Sequence, residues 1–133
     1  MPVTGGEILD GLRAIGVGPG MKLMVHSSLK SFGQVEGGAL TVIRALMDAV
    51  GPAGTVMMPS FNHGEIFHRG RGVYDPFTTP TSNGAIPDAF WRLPGVVRSL
   101  NPTHPFACWG RGDRKSTRLN SSHYRSSRMP SSA

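Results

Sequence analysis

Ile8, Leu9, Leu12 and Ile15 recur at helical spacing, and Thr4 stands three residues before Glu7, the interval of a capping box. Gly16 and Gly18-Pro19 stop that predicted helix. Lys22-Leu23-Met24-Val25-His26 is a short apolar run that suits a buried strand. The helical period then returns, with Ala39, Val42, Ile43, Leu46, Met47 and Val50 on one face until Gly51-Pro52 closes it. Thr55-Val56-Met57-Met58-Pro59 predicts a second strand. Strand, helix, strand is a βαβ unit, which implies parallel strands and a right-handed crossover.

Residues 60–82 carry no period, and a loop this long in a compact domain is functional or disordered. Asn83 is placed to cap a short helix through Ile86, Phe90 and Leu93, with Pro87 tolerated in its first turn and Gly95 at its end. Val96-Val97-Arg98-Ser99 reads as a third strand. Phe106-Ala107-Cys108-Trp109, after the turn at Asn101-Pro102, reads as a fourth. There is no internal repeat, and the fold class is α/β.

The net charge of +6 over 133 residues suggests an anionic partner, but its distribution changes that picture. Residues 113–133 hold Arg114, Lys115, Arg118, Arg125 and Arg128 against Asp113 alone, so most of the excess lies there. This segment has seven serines and too little apolar content to offset its chain entropy. A basic tail of this kind can serve as a nucleic-acid arm. The string also resembles a translated short-read sequencing adapter, from Asp113 to His123 and again from Ser127 to Ala133. The expected division is therefore residues 1–112, part of a folded domain, and residues 113–133, a non-native basic tail. The natural chain is expected to stop at about Arg111 or Gly112. A single Cys excludes a disulfide framework and a multi-Cys zinc site. The N-terminal residues lack a basic n-region and an apolar h-region, so the cytoplasm is the expected compartment. No apolar run approaches membrane-spanning length.

Ligands of open α/β sheets bind beyond the C-terminal ends of strands, and His26-Ser27-Ser28 stands at such an end. The serine hydroxyls, nearby backbone N–H groups, the helix start near Gly38, and the charges of Lys30 and Arg98 could together hold phosphate oxygens. The same residues could equally satisfy backbone groups at a strand end, since the Gly-Lys-Ser/Thr of a P-loop is missing. His63, Glu65 and His68 do not reproduce the HExxH spacing, and a solvated or substrate-facing loop is expected there rather than a metal site. Cys108 reads as a small buried side chain; as a nucleophile it would need a base, and His104 is the nearest in sequence. Phe90, Trp91, Phe106 and Trp109 are not interleaved with basic residues as base-stacking platforms would be.

Several stretches, in this order and spacing, resemble the aminoglycoside N3-acetyltransferase family. They are Met24-Val25-His26-Ser27-Ser28-Leu29-Lys30-Ser31-Phe32-Gly33-Gln34-Val35-Glu36-Gly37-Gly38-Ala39 and Ala49-Val50-Gly51-Pro52-Ala53-Gly54-Thr55-Val56-Met57-Met58-Pro59. Tyr74-Asp75-Pro76, Thr79-Pro80, Gly84-Ala85-Ile86-Pro87 and the run Val96 to His104 follow. The resemblance covers about residue 4 to Gly110. It implies an α/β/α sandwich, here incomplete, unlike the common N-acetyltransferase fold. It implies acetyl-CoA as co-substrate, no metal, and transfer to the 3-amino group of an aminoglycoside without a covalent enzyme intermediate. It implies that His26, Ser27, Ser28, Leu29, Arg98 and Ser99 lie near the coenzyme. Asp75 and Glu65 are then the candidates for the ammonium groups of the antibiotic, since a polycation seeks carboxylates.

Neither a nucleic-acid nor a membrane partner is implied, and a homodimeric full-length form stays open. The chain has Asn101-Pro102-Thr103-His104-Pro105 where the family often has His-Pro-Thr-His-Ser. The family's catalytic His falls in a later segment with no counterpart here, so no catalytic residue is assigned and an inactive fragment is expected. His123, inside the adapter-like string, is no substitute. The alternatives are a family relative acting on another amine, and a non-catalytic phosphate- or nucleic-acid-binding module.

Overall fold

The structure, a computed structural model, describes residues 2–26, 28–62, 72–101 and 104–111. Helix α1 (Gly5–Ala14) begins at the expected capping box: Glu7 N–H donates to Thr4 Oγ1, and Thr4 N–H to Glu7 Oε1, both at 3.2 Å. Strand β1 (Lys22–Met24) follows, then a 3₁₀ helix (Leu29–Phe32), helix α2 (Ala39–Val50) and strand β2 (Thr55–Pro59). Helix α3 (Ala85–Trp91) and strands β3 (Val97–Arg98) and β4 (Phe106–Gly110) complete the described part.

The four strands form one sheet in the order β1-β2-β4-β3. β1 and β2 are parallel, with Leu23 opposite Val56, as the βαβ pattern requires. β4 runs antiparallel to both β2 and β3, with Ala107 opposite Met58 and Arg98. Helices α2 and α3 touch each other and both touch β2, so they lie on one face; α1 packs on α2. The core between helices and sheet is built by Val42, Ile43, Leu46 and Val50 of α2, Val56 and Met58 of β2, Ile86 and Phe90 of α3, and Ala107 of β4. The predicted apolar stripe of α2 is the stripe that is buried, with Ala39 and Met47 only partly covered.

Three expectations are corrected. β1 is not a buried strand: among the described residues it is paired on one side only, and Lys22 and Met24 are exposed. Its pairing extends one residue further, since Val25 N–H donates to Met57 O at 2.8 Å. Ile15 is the C-cap residue just past α1 rather than part of its buried stripe, and it is 78% exposed. Asn83 does not cap α3. The cap is Gly84, whose φ of 128° a side chain would oppose, and the helix ends at Trp91 rather than Leu93. Asn83 Oδ1 accepts instead from Phe61 N–H, at 2.6 Å. A second glycine is required at the end of β4: Gly110 has φ 111°, and a Cβ there would stand 2.1 Å from Gly54 O.

Candidate functional site

The chain leaving β1 passes through His26 and Ser28, both exposed, into the 3₁₀ helix. Ser28 occupies the N-cap position of that helix, yet its hydroxyl makes no capping hydrogen bond. The loop beyond is tied to the N-terminal segment, with Val3 N–H donating to Gln34 O and Glu36 N–H to Val3 O. Between this loop and the start of α3 lies an open cleft of about 520 Å³, lined by Ser28, Leu29, Lys30, Gly33, Asn83, Gly84 and Ala85. The structure thus brings Ser28 and Leu29 of the predicted site together with Lys30. Ser27 lies outside the described residues. Gly38, the N-cap of α2, does not line this cleft; its neighbour Gly37 lines a separate cavity of about 690 Å³ between α1 and α2.

Arg98 and Ser99 are placed differently. Arg98 is 7% exposed, and its guanidinium donates to the carbonyls of Thr79 and Ser60, the latter at 3.0 Å. It stacks over the Trp91 indole at 4.3 Å and lies 5.1 Å from the Tyr74 ring. Burial pushes its pKa down from the usual guanidinium value, without taking the charge away. Its Nε and the Ser60 hydroxyl are buried without hydrogen-bond partners among the described residues. Ser99 is 1% exposed; its Oγ accepts from Phe106 N–H at 2.9 Å and its carbonyl from the Tyr74 hydroxyl at 2.6 Å. Burial pushes the Tyr74 phenol up, so it stays a neutral donor at physiological pH. Both strand-end residues are therefore committed to a buried network. Arg98 lines a second groove, of about 540 Å³, together with Phe77, Trp91 and Leu100.

The Asp75 carboxylate is exposed on a tight turn. Its Oδ1 accepts from Phe77 N–H at 2.8 Å, its own N–H donates to Thr79 Oγ1 at 2.8 Å, and its carbonyl accepts from Thr78 and Thr79 N–H. Glu65, the other predicted carboxylate, lies outside the described residues, as do His63 and His68. Cys108 is fully buried in β4, while His104 packs its ring edge-on against Phe61 at 4.9 Å. The reading of Cys108 as a small core side chain agrees with that placement. Among the described residues no helix is long and apolar enough to cross a membrane.

Sequence reasoning missed the partners of Arg98: Ser60, Tyr74, Thr79 and Trp91. A signal existed, since a cation inside an apolar strand must find acceptors. It also missed Asp88, whose Oδ1 accepts from Thr81 N–H, Trp91 Nε1 and Arg92 Nη2 at 3.0–3.2 Å. Burial works against that charge, but the hydrogen bonds from Trp91, Arg92 and Thr81 and the charge of Arg92 outweigh it and hold the carboxyl below its usual value. A lowered folded pKa contributes stability that is complete above about pH 4 and is lost as pH falls through the folded value. The melting gap between the chain and Asp88→Asn is therefore expected to be wider at neutral pH than at about pH 2–3. Equal gaps in thermal melts at both would show that the charge contributes nothing.

The family described as aminoglycoside 3-N-acetyltransferase matches residues 24–129, past Gly112 and into the segment set apart above. Aminoglycoside N(3)-acetyltransferase IV of Salmonella is 43% identical over 103 residues, covering 76% of this chain and 36% of the relative. The solved YokD protein of Bacillus subtilis superposes with a TM-score of 0.80 at 34% identity, covering 88% of this chain and 54% of that one. Two further solved structures are the aminoglycoside acetyltransferase AAC(3)-IVa in complex with gentamicin and AAC-IIIb with CoASH. Their TM-scores are 0.76 and 0.78, at 37% and 26% identity, over 86% and 88% of this chain and 43% and 49% of theirs. The chain spans about half or less of the length of the curated relatives it matches. Match, order of elements and superposition agree: the chain belongs to the aminoglycoside 3-N-acetyltransferase family.

Proposed function

We propose that the chain is part of an acetyl-CoA-dependent N-acetyltransferase that modifies the 3-amino group of aminoglycosides. The single observation carrying this is the cleft beyond β1, where exposed Ser28 and Lys30 face the start of α3 in a chain of this family. In this reading His26, Ser27, Ser28, Leu29 and Lys30 hold the phosphate-bearing end of the coenzyme. Lys30 supplies charge, and hydroxyl and backbone N–H groups supply directed donors. Arg98 and Ser99 do not touch the coenzyme in this reading; they hold the frame behind it. Asp75 and Glu65 attract the ammonium groups of the antibiotic. The relatives solved with CoASH and with gentamicin support the two ligand classes.

The chemistry follows from the reactants. An aliphatic amine is protonated at neutral pH, so a base must take one proton before nitrogen attacks the thioester carbonyl. The carbon–sulfur bond then breaks, the acetyl group passes to nitrogen and coenzyme A leaves as thiol or thiolate, while donors stabilise the oxygen that carries the developing charge. The resemblance assigns the base to a His in a segment outside residues 1–133. Residues 1–133 taken alone are therefore expected to bind coenzyme A without turning it over.

Titration of coenzyme A into the isotopically labelled chain tests the cleft. The amide signals of Ser28, Leu29, Lys30 and Gly33 are expected to move, and Lys30→Ala to weaken binding about tenfold, the loss of one charge-assisted contact. Unmoved signals in a folded chain would remove the coenzyme reading. Release of free thiol from acetyl-CoA with gentamicin above background would show that residues 1–133 carry a base of their own.

A further inference from the structure

Arg98 stands apart from the coenzyme cleft, yet it is joined to the turn that carries the Asp75 carboxylate. Its guanidinium donates to the carbonyl of Thr79 and to that of Ser60. Thr79 closes the turn: its Oγ1 accepts the Asp75 N–H at 2.8 Å and its own N–H donates to Asp75 O at 2.9 Å. Asp75 Oδ1 is in turn fixed by Phe77 N–H at 2.8 Å. The start of the turn is held from the same direction, since the Tyr74 ring lies 5.1 Å from the Arg98 guanidinium and its hydroxyl donates to Ser99 O. The Trp91 indole supports Arg98 at 4.3 Å. One buried cation therefore holds Thr79 at one end of the turn and lies against Tyr74 at the other, while the carboxylate between them stays in solvent.

We propose that Arg98 is a positioning residue, which fixes the Tyr74–Thr79 turn so that the Asp75 carboxylate meets an ammonium group of a polycationic substrate in one orientation. This rests on the reading of Asp75 as a substrate carboxylate. The chemistry favours geometry over stability as the reason for the charge. Burying an ion is expensive, and an apolar side chain of similar volume often serves the core as well. What an apolar side chain lacks is the planar fork that reaches two carbonyls at fixed angles. An exposed carboxylate gains little from an exposed cation unless both are held, because ordering the side chains offsets most of the attraction. A turn ordered before binding removes that loss.

The test uses the 133-residue chain and five variants: Arg98→Met, Arg98→Lys, Thr79→Val, Asp75→Asn and the double variant Arg98→Met with Asp75→Asn. Three quantities are read: hydrogen-exchange protection of the Phe77 and Thr79 amides without ligand, gentamicin affinity, and coenzyme A affinity. Arg98→Met and Thr79→Val are expected to lose the turn protection and to weaken gentamicin about tenfold, with coenzyme A affinity unchanged within about twofold. The double variant is expected to bind gentamicin no worse than Asp75→Asn, since positioning acts only through that carboxylate. Arg98→Lys, which keeps charge and stem, is expected to recover part of the loss. If Arg98→Met does not fold, Thr79→Val cuts the same chain of contacts at its middle link.

Retained protection of the turn in Arg98→Met overturns the proposal whatever happens to the drug. So does an equal loss for both ligands, or additivity with Asp75→Asn, which is the mark of a structural role alone. An unchanged gentamicin affinity in Asp75→Asn, with the turn loosened in Arg98→Met, instead overturns Asp75 as the substrate carboxylate and shows Arg98 holding a turn of other use.

Discussion

Phe90→Ala is expected to remove about 3–5 kcal/mol of stability, the range for emptying a buried aromatic site. Phe90 is fully buried on α3, in the layer where α3 meets β2, β4 and α2. Its loss removes the transfer free energy of the ring and leaves a void in the core that Phe90 shares with Met58, Ile86 and Ala107. The void closes poorly, because the neighbours come from elements tied to one another by the sheet register. Natural domains have roughly 5–15 kcal/mol in total, and a small sheet with few helices sits toward the lower end. The variant should therefore unfold at a markedly lower urea midpoint, with the slope of the transition unchanged. A loss below about 1 kcal/mol would mean that α3 is not packed on the sheet as described.

Gly110→Ala is the second large effect, and its cause lies in the backbone. At φ 111° an L side chain is strained by about 1–3 kcal/mol. The added Cβ would also stand 2.1 Å from Gly54 O and 3.0 Å from Thr55 Cα, and neither is a rotatable group that could step aside. Relief requires the end of β4 to lift from β2, which breaks the Thr55–Gly110 pairing and the hydrogen bond from Arg111 N–H to Gly54 O. The combined loss is expected to exceed about 3 kcal/mol. Gly11→Ala is the control. It sits in α1 with nothing within 4 Å of its Cβ, and alanine there should stabilise by up to about 1 kcal/mol. Thermal melts of the two variants should move in opposite directions; a Gly110→Ala chain that melts with the unaltered one would show the close approach to be absent.

The sequence made the helices legible where period and cap agreed. Thr4 with Glu7, and the stripe from Ala39 to Val50, are local signals that tertiary contacts did not need to override. The parallel pairing of β1 with β2 followed from the helix between them. Strand order was not legible, because no local rule says that β4 rather than β3 pairs with β2. The exposure of β1 was hidden as well: Leu23 and Val25 do pack against the core, but Lys22 and Met24 alternate with them on the opposite face, and composition does not say that this face is uncovered. Asn83 misled because an Asn before a helical run has two uses, as a cap or as an acceptor for a distant strand end, and Phe61 took it.

For the site, residues 26–30 were visible as a strand end with hydroxyls and a charge, and the cleft assembles Ser28, Leu29 and Lys30. Arg98 was visible as a charge but not as a spent one. Its acceptors, the carbonyls of Ser60 and Thr79, are backbone atoms, and backbone acceptors leave no mark in the side-chain pattern.

The antiparallel pairing of β2 with β4 also sets an order of events during synthesis. β1, α2 and β2 have all emerged by Pro59, whereas the strand that covers the other flank of β2 does not begin until Phe106. For that whole interval a nascent chain carries Val56 and Met58 on a ribbon with one open side. The joining of β4 is a long-range closure, slower to form than the local unit it completes, and that delay is when a chaperone has most to shield.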